Sequence, residues 1–401
     1  MAGSTSKESI RLGVAGLGRA FTVMVPTFTA DLRIELVAGA DPRPEAQAQF
    51  EAEFGGVSFA SLEDLLAGAD VDAVYLATPV PFHLDQVKVL AAAGKHILME
   101  KPMGLTIEES QEMTRIARDA GIHMIVGHSH SFDAPIRLTR ELIEAGEVGP
   151  VRMITAMNFT DFMYRPRRPD ELITEQGGGV VFSQGAHQID IIRLLGGGLV
   201  KSVRAVTGQW DPARPTEGAY SALLTFEDGM AATAVYSGYA HFDSDEFVGW
   251  RSELGGTKDP VVYWTARDNL AKATETIVEA DLKASRNFGG SQYAPVGRGQ
   301  SGLVHQHFGS LIVSCDHADL RPLPWGVMIY GDQERSSLEL PPPDVPRVEV
   351  IDELAMAVWD DVPPRHDGDW ATASLEVCLA ILESANTGKD VALSHQCAPA
   401  G

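Results

Sequence analysis

The sequence predicts an α/β protein in two parts, a doubly wound parallel sheet over residues 1–130 and then an α+β domain with an antiparallel sheet over 131–390. Three observations predict it. Short apolar runs alternate with helical patterns as far as Gly127, and the connections between them are short, as repeated βα units require. Beyond that point strands joined by the hairpin signal Glu227-Asp228-Gly229 replace the alternation. With 401 residues the chain can bury two cores.

Ile10 to Gly16 reads as a buried strand running into Gly16-Leu17-Gly18-Arg19-Ala20-Phe21. A helical segment to about Ala30 and a second strand, Ile34 to Ala40, lead to Asp41, 23 residues after Gly18. Strand, glycine turn, helix, strand and acid form the context of a dinucleotide fingerprint. Glycines let the backbone approach a pyrophosphate, the helix N-terminus offers N–H groups, and the acid accepts from a ribose diol. Gly16, Gly18, Arg19 and Ala20 are therefore expected at the cofactor, with Asp41 favouring NAD. Arg43 softens that preference and leaves NADP open. Phe21 stands where the fingerprint usually has Gly or Ala, so it must point away or push the helix outward.

The alternation continues with a helix over Pro44–Phe54 and a short helix capped by Ser61 and Asp64. Ala73 to Ala77 is a strand, Phe82 to Ala93 a helix stopped by Gly94, and His96 to Met99 a strand closing in Glu100-Lys101-Pro102. Thr106 and Glu109 cap a helix to Ala120, and His123 to Gly127 is one more strand. Gly16, Asp41, Thr78, Lys101 and His128 all fall at or just past strand carboxyl ends, where open α/β sheets bind ligands. A charged Lys is expensive to bury, so Lys101 should face a cleft.

In the second part, a helix at Ala134 to Ala145 and a strand at Val151 to Asn158 precede a loop carrying Tyr164, Arg165, Arg167 and Arg168. Gly177-Gly178-Gly179 opens a helix to Leu195, and strands follow at Val200–Thr207, Tyr220–Phe226 and Met230–Tyr236. The stretch 268–310 is an excursion with a helix near Leu270 to Lys283, Trp370 to Ser384 is a last helix, and 391–401 is expected to be a loose tail.

With 32 basic against 55 acidic residues the net charge is −23, which argues against nucleic acid and anionic membranes as partners. No apolar run approaches the ~20 residues of a membrane span, and Met1 to Glu8 has no apolar core to serve as a signal peptide. Cys315, Cys378 and Cys397 fit neither a disulfide framework nor a metal knuckle. A cytoplasmic protein with a small-molecule substrate is expected, and no metal.

Taken together, the Gly16 turn, Asp41, Thr78-Pro79 with His83, Glu100-Lys101-Pro102 and the Gly177 segment ending in His187 and Asp190 resemble the Gfo/Idh/MocA oxidoreductases. Tyr164 to Pro169, Phe182 to Asp190, His305 to Gly309 and Leu320 to Pro324 look closer still to the branch that oxidises dihydroxylated dihydrophthalates to catechols. The resemblance implies an N-terminal Rossmann domain and a second domain on a large, mostly antiparallel sheet. It also implies self-association through that sheet as a homodimer or homotetramer. Thr78, Pro79, His83, Glu100 and Lys101 would join the cofactor site. Many sugar dehydrogenases of the family have Asp four residues before the active-site His; here Ser183 stands there.

Oxidising a secondary alcohol needs hydride departure to a nicotinamide and a base for the hydroxyl proton. Lys starts near pKa ~10.4 and would have to fall by ~3 units, whereas His starts near ~6.5. Lys101 is accordingly assigned to binding and polarising the hydroxyl and His187 to acid/base work, with exchange of the roles left open. A dicarboxylated cis-diol would want arginines, whose planar fork matches carboxylate. Arg165, Arg167 and Arg168 are candidates; Arg165 and Arg168, with Tyr164, are carried forward as substrate contacts. Ser183, Asp190, His128 and His307 complete the expected substrate set. The alternatives are a dehydrogenase of a sugar, inositol or sugar acid, and a dinucleotide-binding sensor without turnover.

Overall fold

The computed structural model describes residues 9–261, 265–274, 277–294 and 302–400. The opening Met1 to Glu8, and parts of the 268–310 excursion, lie outside the described residues. The chain forms two compact units. One contains Met1–His128, Ala284–Arg298 and Val345–Asp369; the other contains Ser129–Lys283, Gly299–Asp344 and Trp370–Gly401. A single boundary near residue 130 thus does not describe the whole division, since two later segments return to the first unit.

The first unit is built on six parallel strands: β1 (Ile10–Ala15), β2 (Ile34–Ala40), β3 (Val57–Phe59), β4 (Ala73–Leu76), β5 (His96–Met99) and β6 (Met124–Val126). Their order is β3-β2-β1-β4-β5-β6, which reverses direction between β1 and β4 and opens the crevice there. All four residues of β4 are buried, as a strand covered on both faces should be. Helices start and stop where local chemistry says. The Ser61 hydroxyl accepts from the Asp64 N–H and that of Thr106 from the Glu109 N–H. Gly55, Gly94 and Gly121 end helices with φ of 72°, 64° and 67°. Beyond β6 the Val126 N–H donates to the His366 carbonyl (2.8 Å), so a returning segment covers that sheet edge.

The second unit is built on nine strands: β7 (Val151–Phe159), β8 (Val200–Gly208), β9 (Ala219–Phe226), β10 (Ala231–Ser237), β11 (Ser310–Cys315), β12 (Ala318–Leu323), β13 (Gly326–Gly331), β14 (Arg335–Glu339) and β15 (Val391–Ala392). The order is β14-β13-β12-β11-β7-β10-β9-β8-β15; β7 and β10 run parallel and every other pair antiparallel. The residues of β9 and β10 alternate between buried and more exposed, so one face carries the core.

Two expectations are corrected. The helix expected near Leu270 to Lys283 is two among the described residues, Thr265–Thr274 and Glu279–Ser285, the second preceded by the β-branched pair Ile277-Val278, which disfavours helix. The tail is tied down: β15 pairs with β8, Glu376 accepts from the N–H groups of Ser394 and His395, and the buried Arg193 donates to Gln396 and to the Cys397 carbonyl.

Candidate active site

In the first unit, β1 delivers the chain into Gly16, whose φ is +92°. A Cβ there would lie 2.7 Å from the Ala77 carbonyl group and 2.8 Å from the Thr78 nitrogen. Only glycine fits this close approach of the turn to the end of β4. The helix Arg19–Ala30 starts after Gly18 with no side-chain cap and no acid in its first turn. An uncapped N-terminus beside a glycine cradle suits a pyrophosphate, so the residues present fit a dinucleotide.

Asp41 is tied into the glycine turn. Its buried carboxylate accepts from the N–H groups of Leu17 and Arg43 (both 2.9 Å) and from the Arg43 guanidinium through Nε (2.9 Å) and Nη2 (3.1 Å). The guanidinium in turn donates to the carbonyls of Leu17 and Phe288. Acid and base are thereby locked to the glycine turn. Phe21 is fully buried against Phe50, Phe54 and Phe288, with the Phe288 ring centroid at 5.0 Å. The returning segment thus supplies the packing that a small residue provides elsewhere.

At the other strand ends, the Thr78 hydroxyl donates to Gln86. His83 is 1% exposed, and its two ring nitrogens lie 3.0 Å from the carbonyls of Met103 and Thr78. It clamps two loops, and burial holds its pKa below the ordinary range. Glu100 accepts from the Tyr75 hydroxyl. Burial raises the pKa of its carboxyl against the pull of Tyr75, Lys101 and Arg347, so it anchors the end of β5 from inside. Lys101 follows at the strand's end, half-buried, and His128 follows β6, buried.

In the second unit, Gly179 (φ +80°) leaves room for the Glu217 carboxylate, which accepts from Thr174, Thr216 and the Val181 N–H. Ser183, in a π-type turn over Val181–Gly185, donates its hydroxyl to the Gly179 carbonyl. The helix Ala186–Leu195 then carries His187, 7% exposed, with its ring 4.9 Å from that of His130 and 5.3 Å from that of Phe308. Tyr236 stacks on the same Phe308 (6.1 Å, 15°), and its phenol is bonded to Thr160 and Gln184.

Two expected substrate contacts are engaged otherwise. Asp190 is 4% exposed and accepts from Ser131, Trp370 and Ser374, so it joins the last helix to the core. His307 has its Nε2 on the Arg251 carbonyl (2.8 Å) and its Nδ1 accepting from the Gly309 N–H (3.2 Å). Both nitrogens are taken by backbone.

The arginine loop sorts itself by partner. Arg168 donates through Nε and Nη2 to Asp170 (3.1 and 2.9 Å) and its N–H to Glu171 (2.8 Å). It folds its own loop. Arg165 donates to Asp161 at 3.2 Å and is about half exposed. Arg167 differs. Its guanidinium stacks 3.5 Å from the Phe162 ring centroid, donates from Nη2 to the Phe162 carbonyl, and has a buried Nε with no hydrogen-bond partner among the described residues. Burial pushes its pKa down to about 10. Tyr164 lies under the Arg267 guanidinium, 3.9 Å from its ring centroid. Among the described residues no cluster of three His, Cys, Asp or Glu could hold a metal, and no helix is long and apolar enough to cross a membrane.

These features define an NAD-binding oxidoreductase. Residues 10–128 match the family described as "Oxidoreductase family, NAD-binding Rossmann fold", and residues 136–260 match the "GFO/IDH/MocA C-terminal domain". The chain belongs to the Gfo/Idh/MocA oxidoreductase family. It is 45% identical, over 93% of its length and 94% of the relative's, to 1-carboxy-3-chloro-3,4-dihydroxycyclohexa-1,5-diene dehydrogenase of Comamonas testosteroni. A crystal structure from Bordetella bronchiseptica RB50 is 40% identical, covers 96% of this chain and 100% of its own, and superposes with a TM-score of 0.89. The WlbA dehydrogenase of Bordetella pertussis, solved with NADH and UDP-GlcNAcA, shares the fold at TM-score 0.66 and 23% identity, over 96% of this chain and 99% of its own.

Proposed function

We propose that this protein oxidises a carboxylated cis-dihydrodiol, of the 4,5-dihydro-4,5-dihydroxyphthalate type, to the matching catechol. The Comamonas relative, named for a carboxylated dihydroxycyclohexadiene, supports the substrate class. The observation that carries it is Arg167, a buried guanidinium whose Nε awaits an acceptor. A substrate carboxylate is the natural one, with Arg165 beside it.

The Gly16 turn would hold the pyrophosphate of NAD, which when bound would supply the hydride acceptor. Lys101 binds and polarises the carbinol hydroxyl, and His187 takes its proton as the carbinol C–H leaves as hydride. The ketone formed still carries an sp3 C–H on the carbon that bears the second hydroxyl; loss of that proton to solvent, with protonation of the carbonyl oxygen, gives the catechol, and aromatisation draws hydride transfer forward. The reading requires Lys101 and His187 to serve one hydroxyl. Thr78, Pro79 and the Gly16 turn serve the cofactor; NAD is preferred because Asp41 opposes a 2′-phosphate, although Arg43 offsets part of that charge.

Absorbance at the reduced-nicotinamide band tests the proposal. Arg167→Gln is expected to lower kcat/KM for the carboxylated diol by roughly 10- to 150-fold, the worth of a charge-assisted bond of about 1.5–3 kcal/mol. Unchanged turnover would remove the carboxylate anchor and favour the reading as a sugar or inositol dehydrogenase.

We further propose that copies associate through the open face of the nine-stranded sheet. There Leu223, Thr233, Thr155 and Ile312 stand side by side in register across β9, β10, β7 and β11, and Leu223 and Ile312 are 45% and 43% exposed. Light scattering of Leu223→Glu is expected to give a smaller particle than the parent chain; an unchanged mass would refute this interface.

A further inference from the structure

We infer that His130 is a positioning residue, a fixed imidazolium whose charge keeps the neighbouring His187 neutral and able to accept a proton. The inference rests on the proposed role of His187. Its geometric basis lies wholly within the second unit.

His130 is 2% exposed, with one carboxylate at each ring nitrogen. Nδ1 is 2.7 Å from Asp133 Oδ2, and Nε2 is 3.5 Å from Glu253 Oε1. A neutral imidazole offers one donor and one acceptor, so one of these carboxylates would face a lone pair; only the imidazolium donates to both. Burial alone would discharge the ring, but Asp133 and Glu253 outweigh it and bring the pKa up to about 9. Reciprocally, burial would raise Glu253, but His130 and Arg165 outweigh it and hold the carboxyl down to about 2.

The ring of His187 stands edge-on to this cation, 4.9 Å between centroids at 69°. A second imidazolium there would meet a like charge in a buried site, which lowers a pKa. The other groups nearby do not reverse the argument. Asp190 on the same helix is turned to Ser131, Trp370 and Ser374. Arg165 acts on Glu253, adding positive charge to the cluster. Tyr236 remains a neutral phenol, since burial pushes its pKa up. Of the two carboxylates, Asp133 and Glu253, the ring they hold offsets one and Arg165, which also acts on Glu253, offsets the other. The arrangement also accounts for Ser183: a carboxylate at that position would favour a charged His187, and the hydroxyl there is spent on the Gly179 carbonyl instead.

Nitrogen NMR of the imidazoles in the full chain without cofactor tests this directly. In the parent protein His130 should stay protonated through pH 8, with His187 titrating below the ordinary imidazole range. In His130→Gln the His187 midpoint should rise by about one pH unit or more, and the acid limb of kcat/KM should rise with it. A merely structural role would lower activity at every pH alike. A neutral His130 at pH 7, or an unmoved His187 midpoint in His130→Gln, overturns the inference. Should that variant not fold, Glu253→Gln should drop the His130 midpoint toward the ordinary range, and an unchanged midpoint is equally contrary. His187→Gln separates the two claims: retained turnover would end the proposed role of His187 while leaving the titrations intact.

Discussion

The glycine turn after β1 and the histidine cluster around Phe308 are made from different material. The first is backbone: a φ of +92° at Gly16, an uncapped helix start, and one acid 23 residues beyond Gly18 that closes the turn. The second is side chains, with His130, His187, Tyr236, Glu253 and Phe308 drawn from five separate stretches. A backbone site tolerates exchange of its surroundings, whereas a side-chain site depends on each neighbour's charge. The glycine turn is thus fixed by shape, and the histidine cluster is tuned by electrostatics.

Substitutions can break this contrast, and the largest effect should fall on packing. Phe21→Ala removes a fully buried ring that meets three others. Chemical denaturation should show a loss of about 3–5 kcal/mol; a loss below about 1 kcal/mol would mean that the Phe288 segment does not substitute for the small fingerprint residue. Next comes Gly16→Ala, which places a Cβ against the Ala77 carbonyl at a strained φ. Fluorescence titration with NADH should show affinity falling about 100-fold, equivalent to about 3 kcal/mol. Retained affinity would make the shape argument wrong.

The tuned region is sharpened by pH. His130 is held above the ordinary imidazole value, up to about 9. The stability it contributes is therefore complete below about pH 6.5 and is lost as pH rises through about 9. Unfolding free energy measured from pH 6 to 10 should fall across that window, and should do so less in His130→Gln. The smallest effect is expected from Arg168→Gln. Its half-exposed pair with Asp170 is worth about 0–1 kcal/mol, so turnover should change by less than about fivefold.

Legibility followed the same divide. The Gly16 turn, the Ser61 and Thr106 caps and the parallel rhythm are local signals, and the structure carries them where the sequence puts them. Strands β12 and β14 are hard to read in the sequence because β12 contains Pro322 and all five residues of β14 are exposed, leaving no buried face to signal them. Phe21 could be flagged as anomalous but not explained, since its partner Phe288 lies far along the chain. Asp190 and His307 have the chemistry of substrate contacts, and only the positions of Trp370 and Arg251 show them occupied. Arg167 and Arg168 are indistinguishable as neighbours in sequence; loop geometry gives Asp170 to one and leaves the other facing Phe162. His130 carried a faint signal in Asp133, one turn away just before a helix, and none in Glu253.

The most direct measurement is an absorbance trace of NAD reduction with 4,5-dihydro-4,5-dihydroxyphthalate beside myo-inositol at equal concentration. The account predicts rapid reduction with formation of the catechol for the first and little for the second. Equal or faster reduction with the polyol would contradict it.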